Sequence, residues 1–216
     1  MIPEKKRISI ILSILRKNYG GAVTALEHRD PFGLLVATVL SAQCTDERVN
    51  RVTPALFKKY KSIKAFAAAG QHDMERMIRS TGFFRNKAKN IIALSKIILE
   101  DFGGKVPDSM EKLVTLPGVA RKTANIVLSG VFKKAEGIAV DTHVRRVSRR
   151  LGLTKNEVPD KIERDLMNIL PRKDWIDFNY MLVNHGRKIC KARHPCCPVC
   201  PVGKLCPSRE LFMKAY

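Results

Sequence analysis

The residues best suited to chemistry sit in three short stretches. Cys190, Cys197, Cys200 and Cys206 are separated by six, two and five residues. Four thiolates so close can wrap one metal centre and order a tail too short to build its own core. Cys-x-x-Cys pairing suits structural zinc as well as an iron–sulfur cluster, and Cys197 with Cys200 would fit a zinc knuckle. The second stretch is Leu116-Pro-Gly-Val-Ala-Arg-Lys-Thr-Ala-Asn125. Here Lys122 falls in the first turn of a predicted helix, where local rules favour Asp or Glu. The helix dipole pushes such an amine toward its neutral form, the form that attacks carbon. A solvated surface lysine or a phosphate clamp accounts for the same residue. The third is Val140-Asp141-Thr142-His143, in which Asp141 is a good N-cap for a helix starting at Thr142.

Helices must position these groups, and their punctuation recurs along the chain. A first helix over 4–19 stops at Gly20-Gly21, and Asp30-Pro31 supplies an N-cap and a first-turn proline for an apolar helix from Phe32 to Leu40. Helices follow at 46–60, 62–69 (Ser62 cap), 73–79 and 87–102 (Asn86 cap, Gly103-Gly104 stop). Asp108 with Glu111 forms a capping-box pattern for a short helix ending near Val114. After Leu116-Pro117-Gly118 a helix runs to about Gly130, and others occupy 142–151, 157–169 and 175–189. Alternation at period two is nowhere sustained, so the fold class is all-α. Residues 109–131 read helix, tight turn, helix: proline ends the first, glycine permits the turn, and the amides opening the second can meet a phosphate oxygen. An ordinary turn between packed helices has the same pattern.

The chain has 216 residues, with 40 Lys plus Arg against 20 Asp plus Glu, a net charge of +20. Such an excess opposes compaction, and a polyanionic partner, nucleic acid first, is the usual reason to carry it. A basic but unspecific surface is the alternative. Hydrophobic residues at 45% and charged residues at 28% disfavour disordered and membrane classes. No apolar run reaches spanning length. Ile8 to Leu15 is interrupted by Ser13 and closed by Arg16-Lys17, which predicts an amphipathic helix and not a signal peptide. Five of six cysteines lie from residue 190 onward, which favours a local metal site over a disulfide framework and agrees with a cytoplasmic location.

Residues 116–125 resemble the helix-hairpin-helix of the endonuclease III family of DNA glycosylases, with Ala120 where the usual hairpin has a second glycine. That alanine calls the hairpin's backbone geometry into question, because alanine tolerates positive φ poorly. The spacing of Cys190, Cys197, Cys200 and Cys206 matches that family's 4Fe-4S loop, which leaves Cys196 and Cys44 outside the pattern, Cys44 as a buried inert thiol. Using Cys196 instead of Cys197 would shorten the first gap to five residues and lengthen the second to three. The resemblance implies that Lys122 is the Schiff-base nucleophile and Asp141 the catalytic carboxylate. Chemistry on a stacked base requires the nucleotide to be extruded and the gap filled. Ser41-Ala-Gln-Cys-Thr-Asp46 resembles the family loop that supplies a glutamine, here Gln43, and Gly82-Phe-Phe-Arg-Asn-Lys-Ala88 the loop with an apolar wedge, here Phe83. On their own, Gln43 reads as a solvated side chain and Phe83 as core. Leu116, Gly118, Ala120 and Arg121 are the implied backbone-contacting hairpin residues, and Lys191 and Arg193 lie in a basic loop that meets phosphate or is a solvated turn.

The resemblance covers nearly the whole chain, with motifs in family order. It implies two helical lobes: a six-helix module over 22–134 holding the hairpin, and a lobe formed by 1–21 with 135–216 and its cluster loop at 190–206. It further implies a monomeric, prokaryotic, nucleoid-associated enzyme acting on double-stranded DNA with damaged bases or abasic sites, carrying one 4Fe-4S cluster. The activity implied is glycosylase and lyase together, on oxidised pyrimidines. Relatives that only remove mismatched adenine or thymine generally lack the lysine found here at position 122. A metal-bearing DNA binder without the chemistry is the alternative from another class.

Overall fold

A computed structural model of the chain describes residues 2–21 and 23–213, and among them there is no strand. The helices in chain order are α1 (Glu4–Tyr19), α2 (Pro31–Leu40), α3 (Asp46–Lys59), α4 (Ile63–Ala67), α5 (Gln71–Ile78) and α6 (Phe84–Phe102). Then come α7 (Met110–Leu113), α8 (Arg121–Gly130), α9 (Thr142–Arg150), α10 (Pro159–Ile169), α11 (Trp175–Lys188) and α12 (Arg209–Met213). None is long and apolar enough to cross a membrane among the described residues. The chain divides into two compact units, Thr24–Glu136 and Met1–Val23 with Gly137–Tyr216.

The Thr24–Glu136 unit is built around α2. Its sequence is apolar on all sides, and every residue from Phe32 to Leu40 is buried, the behaviour of a central helix. Each fully buried Leu or Val there contributes about 1.5–3 kcal/mol. The Asp30 carboxylate accepts from the Gly33 amide at 2.7 Å and starts the helix ahead of Pro31. α8 lies close on α2: a β-carbon at Gly130 would stand 2.6 Å from Leu34 Cδ2. Seven α-helices lie in this unit, against the six expected, and α4 and α7 among them are only five and four residues long.

Four local starts differ from expectation, α10 among them, which opens at Pro159 behind Val158 and not at 157. α6 begins at Phe84, not after Asn86, because Gly82 (φ 69°) and Phe83 (φ 46°) turn the chain earlier and leave Asn86 inside the helix. α5 begins at Gln71 behind Gly70, two residues before the expected start. Asp108 does not cap α7: Ser109 holds the N-cap position, Glu136 accepts from the Met110 amide at 2.9 Å, and Asp108 pairs with Lys134. That lysine holds the Asp108 carboxyl below the usual carboxylate range. A capping-box pattern is local, and a long-range cation captured the carboxylate.

In the other unit, α1 presents Ile8, Ile11, Leu12 and Leu15 to a core completed by Val144 and Val147 of α9, Ile162 and Leu166 of α10, and Phe178, Met181 and Leu182 of α11. The i, i+3, i+4, i+7 spacing on α1 is the stripe that an amphipathic helix buries. Arg16 on its outer side pairs with Asp174 at 2.8 Å. Arg7 donates to the Leu151 carbonyl at 2.8 Å and so ties α1 to the end of α9.

Candidate active site and cysteine loop

The turn that follows α7 is built from Leu116 to Ala120. The Val119 amide donates to the Leu116 carbonyl at 3.1 Å, with Pro117 and then Gly118 (φ 78°) at the two central positions, the pattern of a type II turn. Gly118 is required twice over, since a β-carbon would also stand 2.7 Å from Asn90 Nδ2. Leu116 and Val119 are buried and anchor the turn in the core of their unit, so Leu116 has only its main chain to offer a ligand. Ala120 has φ −87° and ψ 170°, an extended N-cap that any residue adopts. The missing second glycine therefore costs this hairpin nothing in backbone strain. Alanine supplies no cap of its own, and Arg121 and Lys122 open α8, both exposed. α8 therefore starts with no side-chain cap and with two cations in its first turn.

Asp141, in the other unit, is half-buried and caps α9: its Oδ1 accepts from the Val144 amide at 2.7 Å. The second oxygen stays available for other work. At His143, two residues on, burial pushes the pKa down, against the pull of the Asp141 carboxylate.

Gln43 and Phe83 are both exposed, Phe83 at 63%, an unusual place for a large apolar ring. Both also hold left-handed backbone, at φ 53° and 46°. For non-glycine residues this conformation costs on the order of 1–2 kcal/mol each, and strained residues held in place cluster at functional sites. Beneath them lies Lys87, which sequence reasoning passed over. It is 5% exposed and donates from Nζ to the Leu40 carbonyl at 2.8 Å and the Thr81 carbonyl at 2.7 Å. Its only sequence signal is its place among the apolar positions of α6, beside Ala88 and Ile91. Cys44 is half-buried against the same core, less enclosed than expected.

Cys190, Cys197, Cys200 and Cys206 all line one cavity, with Cys196, Arg150, His185 and Arg209 also in its wall. Among the described residues no three His, Cys, Asp or Glu are placed to hold a metal ion. A four-iron cluster is larger than an ion and needs its thiolates around a cavity, as these stand. Burial pushes the Cys200 thiol up to about 11, and neighbouring Cys190, Cys206 and Cys197 add to the effect. Cys197 and Cys206 are raised in the same way. Thiols that resist ionising together call for cations among them. Arg150 donates to Cys190 Sγ at 3.4 Å, and Arg209 Nε is buried without a hydrogen-bond partner. A thiolate-ligated cluster bears negative charge, so this donor set and its two guanidiniums fit such a group.

Two arginines one turn apart on α9 shape the loop. Arg146 donates from Nε to the Cys190 carbonyl at 3.1 Å, and Arg150 donates to the Lys191 and Ala192 carbonyls at 2.7 and 3.0 Å. The i, i+4 spacing of Arg146 and Arg150 was the available signal. With its carbonyls turned inward, the loop leaves Lys191 and Arg193 exposed.

A family model described as the HhH-GPD superfamily base excision DNA repair protein matches residues 36–172. Endonuclease III of Synechocystis sp. is 54% identical over 210 residues, 97% of this chain and 96% of the relative. That of Bacillus subtilis is 46% identical over 202 residues, 93% of this chain and 92% of the relative. Among solved structures, a non-covalent endonuclease III–DNA complex superposes with a TM-score of 0.93 at 42% identity, covering 99% of this chain and 100% of that one. A trapped endonuclease III–DNA covalent intermediate gives 0.93 at 42% identity, with 98% and 100% covered. Matched over more than half its length and accompanied by such relatives, the chain belongs to the HhH-GPD superfamily of base excision DNA repair proteins.

Proposed function

We propose that this chain is a bifunctional DNA glycosylase and abasic-site lyase that excises oxidised pyrimidines from duplex DNA as a cytoplasmic monomer. The observation that carries the reading is an accessible amine, Lys122, at the start of the helix that leaves the Pro117-Gly118 turn. The similarity to an endonuclease III caught covalently on DNA supports it.

The turn through Leu116, Gly118 and Ala120 and the α8 amides grip a backbone phosphate, with Arg121 adding charge. Gln43 and Phe83 occupy the gap left by the extruded nucleotide. The uncharged Lys122 amine then attacks sugar C1′, the N-glycosidic bond breaks, and the base departs with its bonding pair. Asp141 stabilises positive charge developing on the sugar and takes up the lysine proton. Ring opening yields a Schiff base between Nζ and C1′. Loss of a C2′ proton then expels the 3′ phosphate, cutting the strand by β-elimination. One amine thus serves both activities.

Cys190, Cys197, Cys200 and Cys206 would hold one 4Fe-4S cluster, whose contribution is to order the 190–206 loop and present Lys191 and Arg193 to phosphate. The iron form absorbs in the visible blue, and a colourless protein with stoichiometric zinc would overturn that part of the reading. The enzyme reading is tested by borohydride reduction on duplex DNA with an abasic site. The wild-type protein forms a covalent adduct and Lys122→Ala forms none. An alanine variant that traps at full yield removes Lys122 as the nucleophile.

A further inference from the structure

Gln43 and Phe83 lie on separate turns, and one buried side chain reaches the root of both. Lys87 Nζ donates to the carbonyl of Leu40, the last residue of α2 and three before Gln43, and to that of Thr81, two before Phe83. A lysine can only donate, and both of its acceptors are main-chain carbonyls, so the contact fixes backbone and not side-chain position. The Leu40 carbonyl belongs to the last turn of α2, where no helical amide follows to take it. A residue that merely filled this space would be apolar, because burying an ammonium without need is costly. From outside, Arg79 and Arg85 lie 6.0 and 5.8 Å from the Phe84 ring centroid, which steadies the residue after Phe83.

We propose that Lys87 is a positioning residue that locks the two turns together, so that Gln43 and Phe83 enter the duplex as one preset pair. The proposal rests on the reading of those two residues as the gap fillers. Both hold a backbone conformation that their surroundings must impose. Without the two hydrogen bonds each turn relaxes separately, and the loss falls on extrusion of the nucleotide, not on attack at C1′.

The test uses duplex DNA carrying 2-aminopurine beside a reduced abasic-site analogue, whose fluorescence reports unstacking at saturating protein. Lys87→Met keeps the stem and removes both donors. It should cut the fluorescence change about fivefold or more while trapping on a single-stranded abasic oligonucleotide, which leaves no gap to fill, stays within about twofold of wild type. Equal losses on both DNAs, or none on either, overturn the proposal. Should Lys87→Met not fold, a cycle of Gln43→Ala, Phe83→Ala and the double variant decides. In a locked pair the double variant loses little more than either single one, whereas simply additive losses overturn the locking. If neither single alanine variant lowers the signal, the gap-filling reading itself fails. If each does and Lys87→Met matches wild type, that reading stands and the role of Lys87 falls.

Discussion

Asp141 caps α9 with the carboxylate that is proposed to act on the sugar, and the two duties can be separated by one substitution. Asparagine caps helices about as well as aspartate, and its side-chain oxygen can accept from the Val144 amide as Oδ1 does at 2.7 Å. Asp141→Asn should therefore leave the unfolding midpoint nearly unchanged. Without a negative charge it should slow single-turnover base release by about a hundredfold or more. Thermal melts beside a glycosylase assay check both, and a variant that melts early but excises normally would assign Asp141 to capping alone. At this scale the chain was readable where a residue's role depends on its neighbours in sequence, as with this cap and the Asp30 cap of α2. Lys87 was not, because its meaning lies in two carbonyls 47 and 6 residues away. Asp108 misled for the same reason, its partner Lys134 being 26 residues distant.

Among the elements, the α7–α8 turn makes the sharpest demand on one position. Gly118 combines φ 78° with a β-carbon site 2.7 Å from Asn90 Nδ2 and 3.0 Å from Asn90 Cβ. Gly118→Ala should destabilise the fold by about 1–2 kcal/mol from backbone strain and push α6 and the turn apart at Asn90. Affinity for duplex DNA should drop by a similar factor on damaged and undamaged sequences, because the turn is proposed to bind backbone and not bases. Asn90→Ala in the same chain should relieve the collision with the carboxamide, leaving the 3.0 Å approach to the Asn90 Cβ and the part due to strain. A Gly118→Ala protein with wild-type stability and affinity would show that the turn tolerates a side chain and does not grip phosphate closely. The helices themselves were legible from periodicity and punctuation, since α1 and α3 begin at Glu4 and Asp46 as expected and Asp30 caps α2 ahead of Pro31. The start of α6 was not, because two left-handed residues in succession, one of them Phe83, break the capping rule that favoured Asn86. Ala120 departs from the family hairpin yet fits, since the conformation at that position is extended.

For the molecule as a whole, a net charge of +20 is the property visible before any residue is assigned a role. If it exists to meet phosphates, affinity for duplex DNA must fall as salt rises, because each neutralised phosphate releases condensed counterions. Contact with about four phosphates predicts a loss of about a hundredfold between roughly 50 and 200 mM salt, measured by titration on undamaged duplex. Lys191 and Arg193 are exposed on a loop whose carbonyls are taken by Arg150, so their side chains are left to act outward. Lys191→Gln and Arg193→Gln should each reduce the slope of log affinity against log salt by about one, uniformly across sequences. Borohydride trapping at saturating protein should be untouched, since neither residue is proposed to meet the sugar. A flat salt response in the wild-type protein would detach the charge from nucleic acid. A slope unchanged by the two glutamines would instead assign the phosphate contacts to other cations, with the loop a solvated turn.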